Sequence, residues 1–152
     1  KGYDLLLPVI AKVKESHSNV HLWLIGEGAE RAALEQQATE LGITEHVTFT
    51  GFLKNPYALM SKMNLFVCSS RAEGFSLVIA ESLILGVPVI SMNCSGPNEL
   101  IGKNECGILC DTYEQLEVEI TKAVDGGNIP CQVPPMVDLG NTMKEVHKVL
   151  GS

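Results

Sequence analysis

Apolar residues recur along this chain in two rhythms. Between residues 3 and 16 they fall at Leu5, Leu6, Val9, Ile10 and Val13, one face of a helix. Pro8 lies beyond the first turn of that helix, where it removes a hydrogen bond and favours a kink. Elsewhere apolar residues form short unbroken runs, at 20–25, 47–50, 65–68, 87–91 and 107–110, each the length of a buried strand. Helical stretches separate them. Residues 29–41 end at Gly42, 56–63 open on Pro56, and 77–85 run from Ser76 as cap to Gly86 as stop. Residues 113–124 place Leu116, Ile120 and Val124 inward. A loop at 94–98 precedes a helical turn at 99–101, and Gly and Pro mark 126–140 as a loop or linker before a last helix at 141–150.

Strands that are continuously apolar and alternate with helices imply a parallel sheet covered on both faces. The expected fold is therefore a doubly wound, Rossmann-like α/β unit spanning 1–152. Such sheets bind ligands at the carboxyl ends of their strands. Attention falls on the loops after Ile25, Thr50, Cys68, Ser91 and Cys110.

Composition narrows the function. A chain of 152 residues suits one hydrophobic core. With 11 basic against 18 acidic residues the net charge is −7, which argues against a nucleic-acid partner. A small anion is still compatible, because a helix N-terminus and a few basic side chains supply a local positive field. No apolar run reaches the roughly 18–20 residues of a transmembrane segment, and no secretory leader is visible. A cytoplasmic location is expected, with the parent protein free to sit peripherally at a membrane. The five cysteines show no C-x-x-C spacing and read as reduced, mostly buried thiols. The histidines are scattered, so no metal site is expected. The start at Lys1-Gly2, without methionine, suggests a piece of a longer protein.

The most informative run is E-G-F-S-L-V-I-A-E, from Glu73 to Glu81. Glu73 lies on the loop after a strand, Gly74 permits a close bend, and Ser76 precedes the helix that carries Glu81. Carboxylates accept hydrogen bonds from sugar hydroxyls, and a helix N-terminus holds phosphate. Two sugars joined by a diphosphate, a nucleotide-sugar, match that arrangement. The plainer reading makes both glutamates solvated acids. Against it, Glu81 sits in the most apolar helix of the chain and needs a partner there. A hydrolytic acid pair is a further reading of the two carboxylates.

Other positions stay open between two roles. Gly26-Glu27-Gly28 lacks the third glycine of a dinucleotide fingerprint, since Arg31 stands there. Gly26 and Gly28 make either a tight turn or a wall of the ligand cleft. Lys54 and Asn55 edge a base pocket or form an exposed turn. Arg71 pairs with phosphate or is solvated. Ser95 presents its hydroxyl to a sugar or phosphate, or belongs to a simple turn. No G-x-S-x-G elbow marks a nucleophile.

These residues, together with Gly86-Val87-Pro88-Val89-Ile90 and Gly107-Ile108-Leu109, resemble a known group. The chain is similar over nearly its whole length to the C-terminal, donor-binding domain of retaining glycosyltransferases of the GT-B fold, the family-4 or "group 1" type. The resemblance implies that Glu73 contacts the transferred sugar and Glu81 the ribose. It implies that the backbone of Gly74, Phe75, Ser76 and Leu77 meets the diphosphate, and that Lys1 stabilises it as leaving group. It implies hexosyl transfer with retention from a nucleoside-diphosphate sugar, the UDP form favoured, in polysaccharide or glycoconjugate synthesis. No further cofactor and no metal are implied, because no D-x-D run is present. An acceptor glycan or lipid would bind an N-terminal domain that is not in these residues, so the isolated piece is expected to be inactive. The family's preceding arginine and first strand also lie outside them. At the later loop, Gly96-Pro97-Asn98-Glu99 departs from the family's two glycines. Alternatives are a non-catalytic nucleotide-sugar module, or a phosphorylase or epimerase on the same scaffold.

Overall fold

The computed structural model describes residues 1–134 and 137. Among them, α1 (Tyr3–Ser16), β1 (Leu22–Ile25), α2 (Arg31–Glu40), β2 (Val47–Gly51), α3 (Tyr57–Met60) and β3 (Phe66–Cys68) follow one another. Then come α4 (Leu77–Ile84), β4 (Val89–Met92), α5 (Ser95–Pro97), β5 (Ile108–Cys110) and α6 (Tyr113–Val124). β1 and β2 pair in parallel, with Leu22 opposite Val47. β3, β4 and β5 form a second parallel sheet in that order, with Phe66 opposite Val89 and Ile90 opposite Ile108. The expected α/β, Rossmann-like architecture is met, its strands lying in two parallel sheets.

The sequence of β4 shows why helices cover both faces. Neighbouring strand residues point to opposite sides. Val89 joins a buried cluster with Ile79, Ala80 and Leu83 of α4. Ile90 joins another with Leu6, Val9, Ile10 and Val13 of α1 and Leu116 and Ile120 of α6. Leu7 of α1 instead enters the cluster of the first sheet, with Leu24, Leu34 and Val47. α1 therefore packs on both sheets.

Pro8 lies inside α1 without ending it. Its missing N–H leaves the Asp4 carbonyl without a helical donor, and Gln37 of α2 donates to that oxygen at 2.8 Å. α4 ends as expected. Gly86 adopts φ +73°, the Gly86 N–H reaches the Leu83 carbonyl at 3.0 Å, and the Val87 N–H reaches that of Ser82 at 2.9 Å. This claims Val87 for the helix end, so β4 begins two residues later than the apolar run suggests.

Other expectations need correction. Ser76 occupies the N-cap position of α4 with extended backbone, but its side chain makes no capping bond; the residue is packed inward. Val124, the last residue of α6, is exposed rather than inward, beyond the buried Leu116 and Ile120. Residues 95–102 are not a loop with one turn. α5 runs directly into a π-helical segment, Asn98–Gly102, where the Lys103 N–H reaches Asn98 O. Burial of Leu100 and Ile101 under β4 stabilises this helical path. Residues 127–134 have no regular secondary structure, and the rest of the expected linker, apart from Val137, and the helix expected at 141–150 lie outside the described residues.

Cys68, Cys106 and Cys110 are buried free thiols, and burial pushes Cys110 up to about 11, so it stays protonated at neutral pH. Ser82 of α4 is fully buried, and its hydroxyl has no partner among the described residues. A buried unpaired hydroxyl costs about 1–3 kcal/mol, and alanine is the better helix former. Ser82→Ala is expected to stabilise the fold by about 1 kcal/mol, read as a higher urea midpoint with an unchanged slope.

Candidate functional site

The carboxyl ends of β3 and β4 and the start of α1 meet around Glu73. Lys1 Nζ donates to both carboxylate oxygens of Glu73, at 3.1 and 2.9 Å, and Ser70 Oγ donates to one of them at 2.8 Å. The bond from Lys1, then the one from Ser70, holds the Glu73 carboxyl below the usual carboxylate range. The same bond raises Lys1 above the ordinary lysine value. Both groups are thus charged across the neutral range.

The backbone beneath this pair is fixed from two sides. Gly2 has φ +76°, and a Cβ there would stand 2.1 Å from Ser69 O. Only glycine permits that approach. Ser69 Oγ donates to the Lys1 carbonyl at 3.0 Å, and Tyr113 of α6 donates to the Ser69 carbonyl at 2.9 Å. On the other side, the Gly96 N–H and Ser95 Oγ both donate to the Glu73 carbonyl, at 3.1 and 2.9 Å. The loops after β3 and β4 are stitched together at Glu73, and Cys94 Sγ also reaches the Ser70 carbonyl at 3.7 Å. An open, polar cleft of about 450 Å³ adjoins this stitch, lined by Asn93, Cys94, Ser95, Asn98, Glu99 and Lys103.

Glu81 lies on α4, half-buried, and its partner is the Tyr57 hydroxyl, which donates to Oε1 at 2.7 Å. The first intrahelical bond of α4 is donated by Ile79 to Ser76 O. The Leu77 and Val78 amides therefore precede the helical ladder, where orphan donors favour an anion. Phe75 and Leu77 themselves are exposed, as is Gly74. The structure thus brings Lys1, Glu73 and Ser95 together, and sets the start of α4 on the same loop.

The remaining positions sit apart from Glu73. Arg71 is engaged with Asp4 of α1 in an exposed ion pair. Gly26 has φ +118° and closes the ends of β1 and β2 by bonding to the Gly51 carbonyl at 3.0 Å, which accounts for its identity as a turn residue. A Cβ at Gly26 or Gly28 would meet nothing within 4 Å. Lys54 is exposed on the turn before α3, and the neighbouring Asn55 accepts the Ala58 N–H at 3.1 Å. Among the described residues no cluster of three or more His, Cys, Asp or Glu is placed to hold a metal ion, and no helix is long and apolar enough to cross a membrane.

Three residues of this arrangement are missed by sequence reasoning in these roles: Ser70, Tyr57 and Gly96. Ser70 had a local signal, as a small polar residue three positions before the glutamate. Tyr57 had none, because its partner lies 24 positions away on another element.

Parallel α/β architecture, with a charged pair and a helix start at the carboxyl ends of its strands, defines a Rossmann-like domain with its candidate site at that edge of the sheet. The chain belongs to the family described as "Glycosyl transferases group 1", which it matches over residues 1–132. It is 34% identical over 111 residues to the lipopolysaccharide core biosynthesis glycosyltransferase LpsE of Rhizobium meliloti, covering 73% of this chain and 32% of that protein. It is 36% identical over 112 residues to the N-acetylgalactosamine-N,N'-diacetylbacillosaminyl-diphospho-undecaprenol 4-alpha-N-acetylgalactosaminyltransferase of Campylobacter jejuni, covering 73% of this chain and 30% of that protein. Among solved structures, Anabaena Alr3699/HepE in complex with UDP-glucose superposes with a TM-score of 0.76 at 24% identity, covering 99% of this chain and 45% of that one. This last likeness speaks to the fold. The chain spans about a third of the length of the curated relatives it matches.

Proposed function

We propose that this domain binds a nucleoside-diphosphate sugar, with UDP favoured as the nucleotide, and serves transfer of a hexosyl unit with retention of configuration. The reading rests on one observation. A glutamate and a lysine, both charged, are locked together at the mouth of the sheet beside a helix start whose first amides have no partner among the described residues. Relatives that act in lipopolysaccharide synthesis and a neighbour holding UDP-glucose support it.

The chemistry follows from charge. Transfer leaves a diphosphate carrying new negative charge, and donors aimed at developing charge lower the barrier. Lys1 and the Leu77 and Val78 amides supply positive field there without a metal. Glu73 orients the sugar hydroxyls and offsets positive charge at the reacting carbon. Glu81 accepts hydrogen bonds from ribose, Gly26 and Gly28 wall the cleft, and Lys54 edges the base. In the free protein Lys1 and Glu73 neutralise each other, so donor binding exchanges their mutual contact for phosphate and sugar. Arg71 is held by Asp4 and would have to leave it to reach phosphate.

An acceptor glycan or lipid is expected on the part of the protein outside these 152 residues, which match only about a third of the relatives' length. The 152-residue piece alone is expected to bind donor weakly and not to turn over. The test is calorimetry of the full-length protein with UDP, GDP and ADP. Tight binding of one of them, UDP foremost, is expected, and binding of none would sink the reading. Anomeric configuration of the product, followed by proton NMR, checks retention. Release of free sugar phosphate with orthophosphate as acceptor would instead identify a phosphorylase.

A further inference from the structure

We propose that Tyr57 is a positioning residue that sets the carboxylate of Glu81 for the ribose diol and so creates selectivity for ribo- over deoxyribonucleotides. This rests on the donor-site reading above. The Tyr57 hydroxyl donates to Glu81 Oε1 at 2.7 Å, a charge-assisted bond between two half-buried side chains.

Both ends of that bond are mounted rigidly. Tyr57 is the first residue of α3, whose start is fixed by Pro56 at the N-cap and by the bond from the Ala58 N–H to Asn55 Oδ1. Met60 anchors the same helix inward, 6% exposed. Glu81 follows Ala80 and precedes Ser82, which are 2% and 0% exposed, so its backbone cannot shift. What is left free is rotation of the glutamate side chain, and the phenol removes it.

The geometry has a consequence for recognition. A carboxylate has about four lone-pair sites. Tyr57 uses one on Oε1, which leaves the second site of Oε1 and both sites of Oε2. Two adjacent acceptors in one plane match the two adjacent hydroxyls of a ribose. Without Tyr57 the carboxylate turns freely, and ordering it on binding costs affinity. The same bond joins the segment after β2, on which Lys54 sits, to α4. The base loop and the ribose anchor therefore move as one unit.

The test compares two probes, UDP and 2′,3′-dideoxy-UDP, in calorimetry with the full-length protein and its Tyr57→Phe variant. Phenylalanine keeps the ring and removes the hydroxyl. Re-ordering one freed side chain on binding predicts up to about tenfold weaker UDP binding. Binding of the dideoxy probe is expected to change by less than about twofold, since its sugar makes no use of Glu81. In steady-state kinetics the variant is expected to raise donor KM with kcat nearly unchanged. Glu81→Gln is expected to erase the preference between the probes, and Tyr57→Phe added to it to change nothing more. Equal weakening of both probes would assign Tyr57 a packing role and overturn the proposal. So would a variant that keeps the full preference for UDP. A wild-type protein that binds none of UDP, GDP and ADP removes the donor-site reading and this proposal with it. One that binds UDP with a ribose preference that Tyr57→Phe leaves intact removes only the role of Tyr57.

Discussion

Glu73→Gln is expected to lower hexosyl transfer by the full-length protein about a hundred- to a thousandfold, the scale seen when one group that stabilises transition-state charge is lost. The fold should scarcely respond. Glutamine keeps the shape and can still accept from Ser70, and the Lys1–Glu73 pair is largely solvated on the lysine side, with 62% of that side chain exposed. Such pairs contribute about 0–1 kcal/mol. The predicted signature is thus a collapse of kcat with a near-constant Tm. If instead Tm falls steeply while the residual enzyme turns over normally, Glu73 is a structural brace and the site lies elsewhere.

The same pair fixes the expected pH behaviour. The folded-state value of Glu73 is depressed, so its contribution to stability is present above the ordinary glutamate value and lost as pH falls through the lower, folded one. Lys1 is raised, so its contribution is present below the ordinary lysine value and lost as pH rises through the higher, folded one. The two losses lie on opposite sides of a wide neutral window. Transfer is therefore expected to be insensitive to Lys1 and Glu73 ionisation near neutral pH. Glu73→Gln should remove the acid limb and bring the alkaline limb down toward the ordinary lysine value, because Glu73 is what raises Lys1.

How much of this is visible in the amino-acid order depends on the range of the interaction. The bounds of α6 are read to the residue because its signals are local, although Val124, placed inward by the periodicity, is exposed. Thr112 accepts the Gln115 N–H at 3.2 Å as its cap, and Leu116 and Ile120 repeat on one face. The turn after α4 is equally plain, since Gly86 is chosen for its own φ. The helical path of residues 95–102 is not visible, because Gly96-Pro97 signals a turn locally while the burial of Leu100 and Ile101 overrides it. Glu81 shows both sides. Its apolar helix told that a partner was needed, but the sequence around it had no means of showing that the partner is Tyr57. Likewise Arg71 gave no sign of Asp4, 67 positions earlier, until α1 was placed beside β3. Contacts that depend on where the chain returns escape a reading based on neighbours.

Gly96 belongs to that second kind, and its replacement by alanine is expected to be the most damaging single-methyl change at the site. A Cβ there would stand 1.5 Å from the Gly74 carbonyl oxygen and 2.5 Å from its carbon. The obstacle is backbone, so no rotamer relieves it. The loop after β3 must move, and moving it breaks the two bonds from Ser95 and Gly96 to the Glu73 carbonyl. Overpacking of this kind costs about 1–3 kcal/mol and occasionally more, and a direct backbone clash belongs at the upper end. A shift of about 1 Å in a catalytic group costs about a hundredfold in rate, so Gly96→Ala should lose both stability and turnover. Gly74→Ala is the control. A Cβ at Gly74 meets nothing within 4 Å, so its effect on stability should stay within about 0.5 kcal/mol. Urea denaturation of the two variants decides the matter. If Gly96→Ala is as stable as Gly74→Ala, the loops after β3 and β4 are not clamped at Glu73. The departure from two glycines in the later loop would then have another meaning. If it is destabilised as expected, the single glycine retained at position 96 is the one the clamp requires, and Pro97 and Asn98 are free to vary behind it.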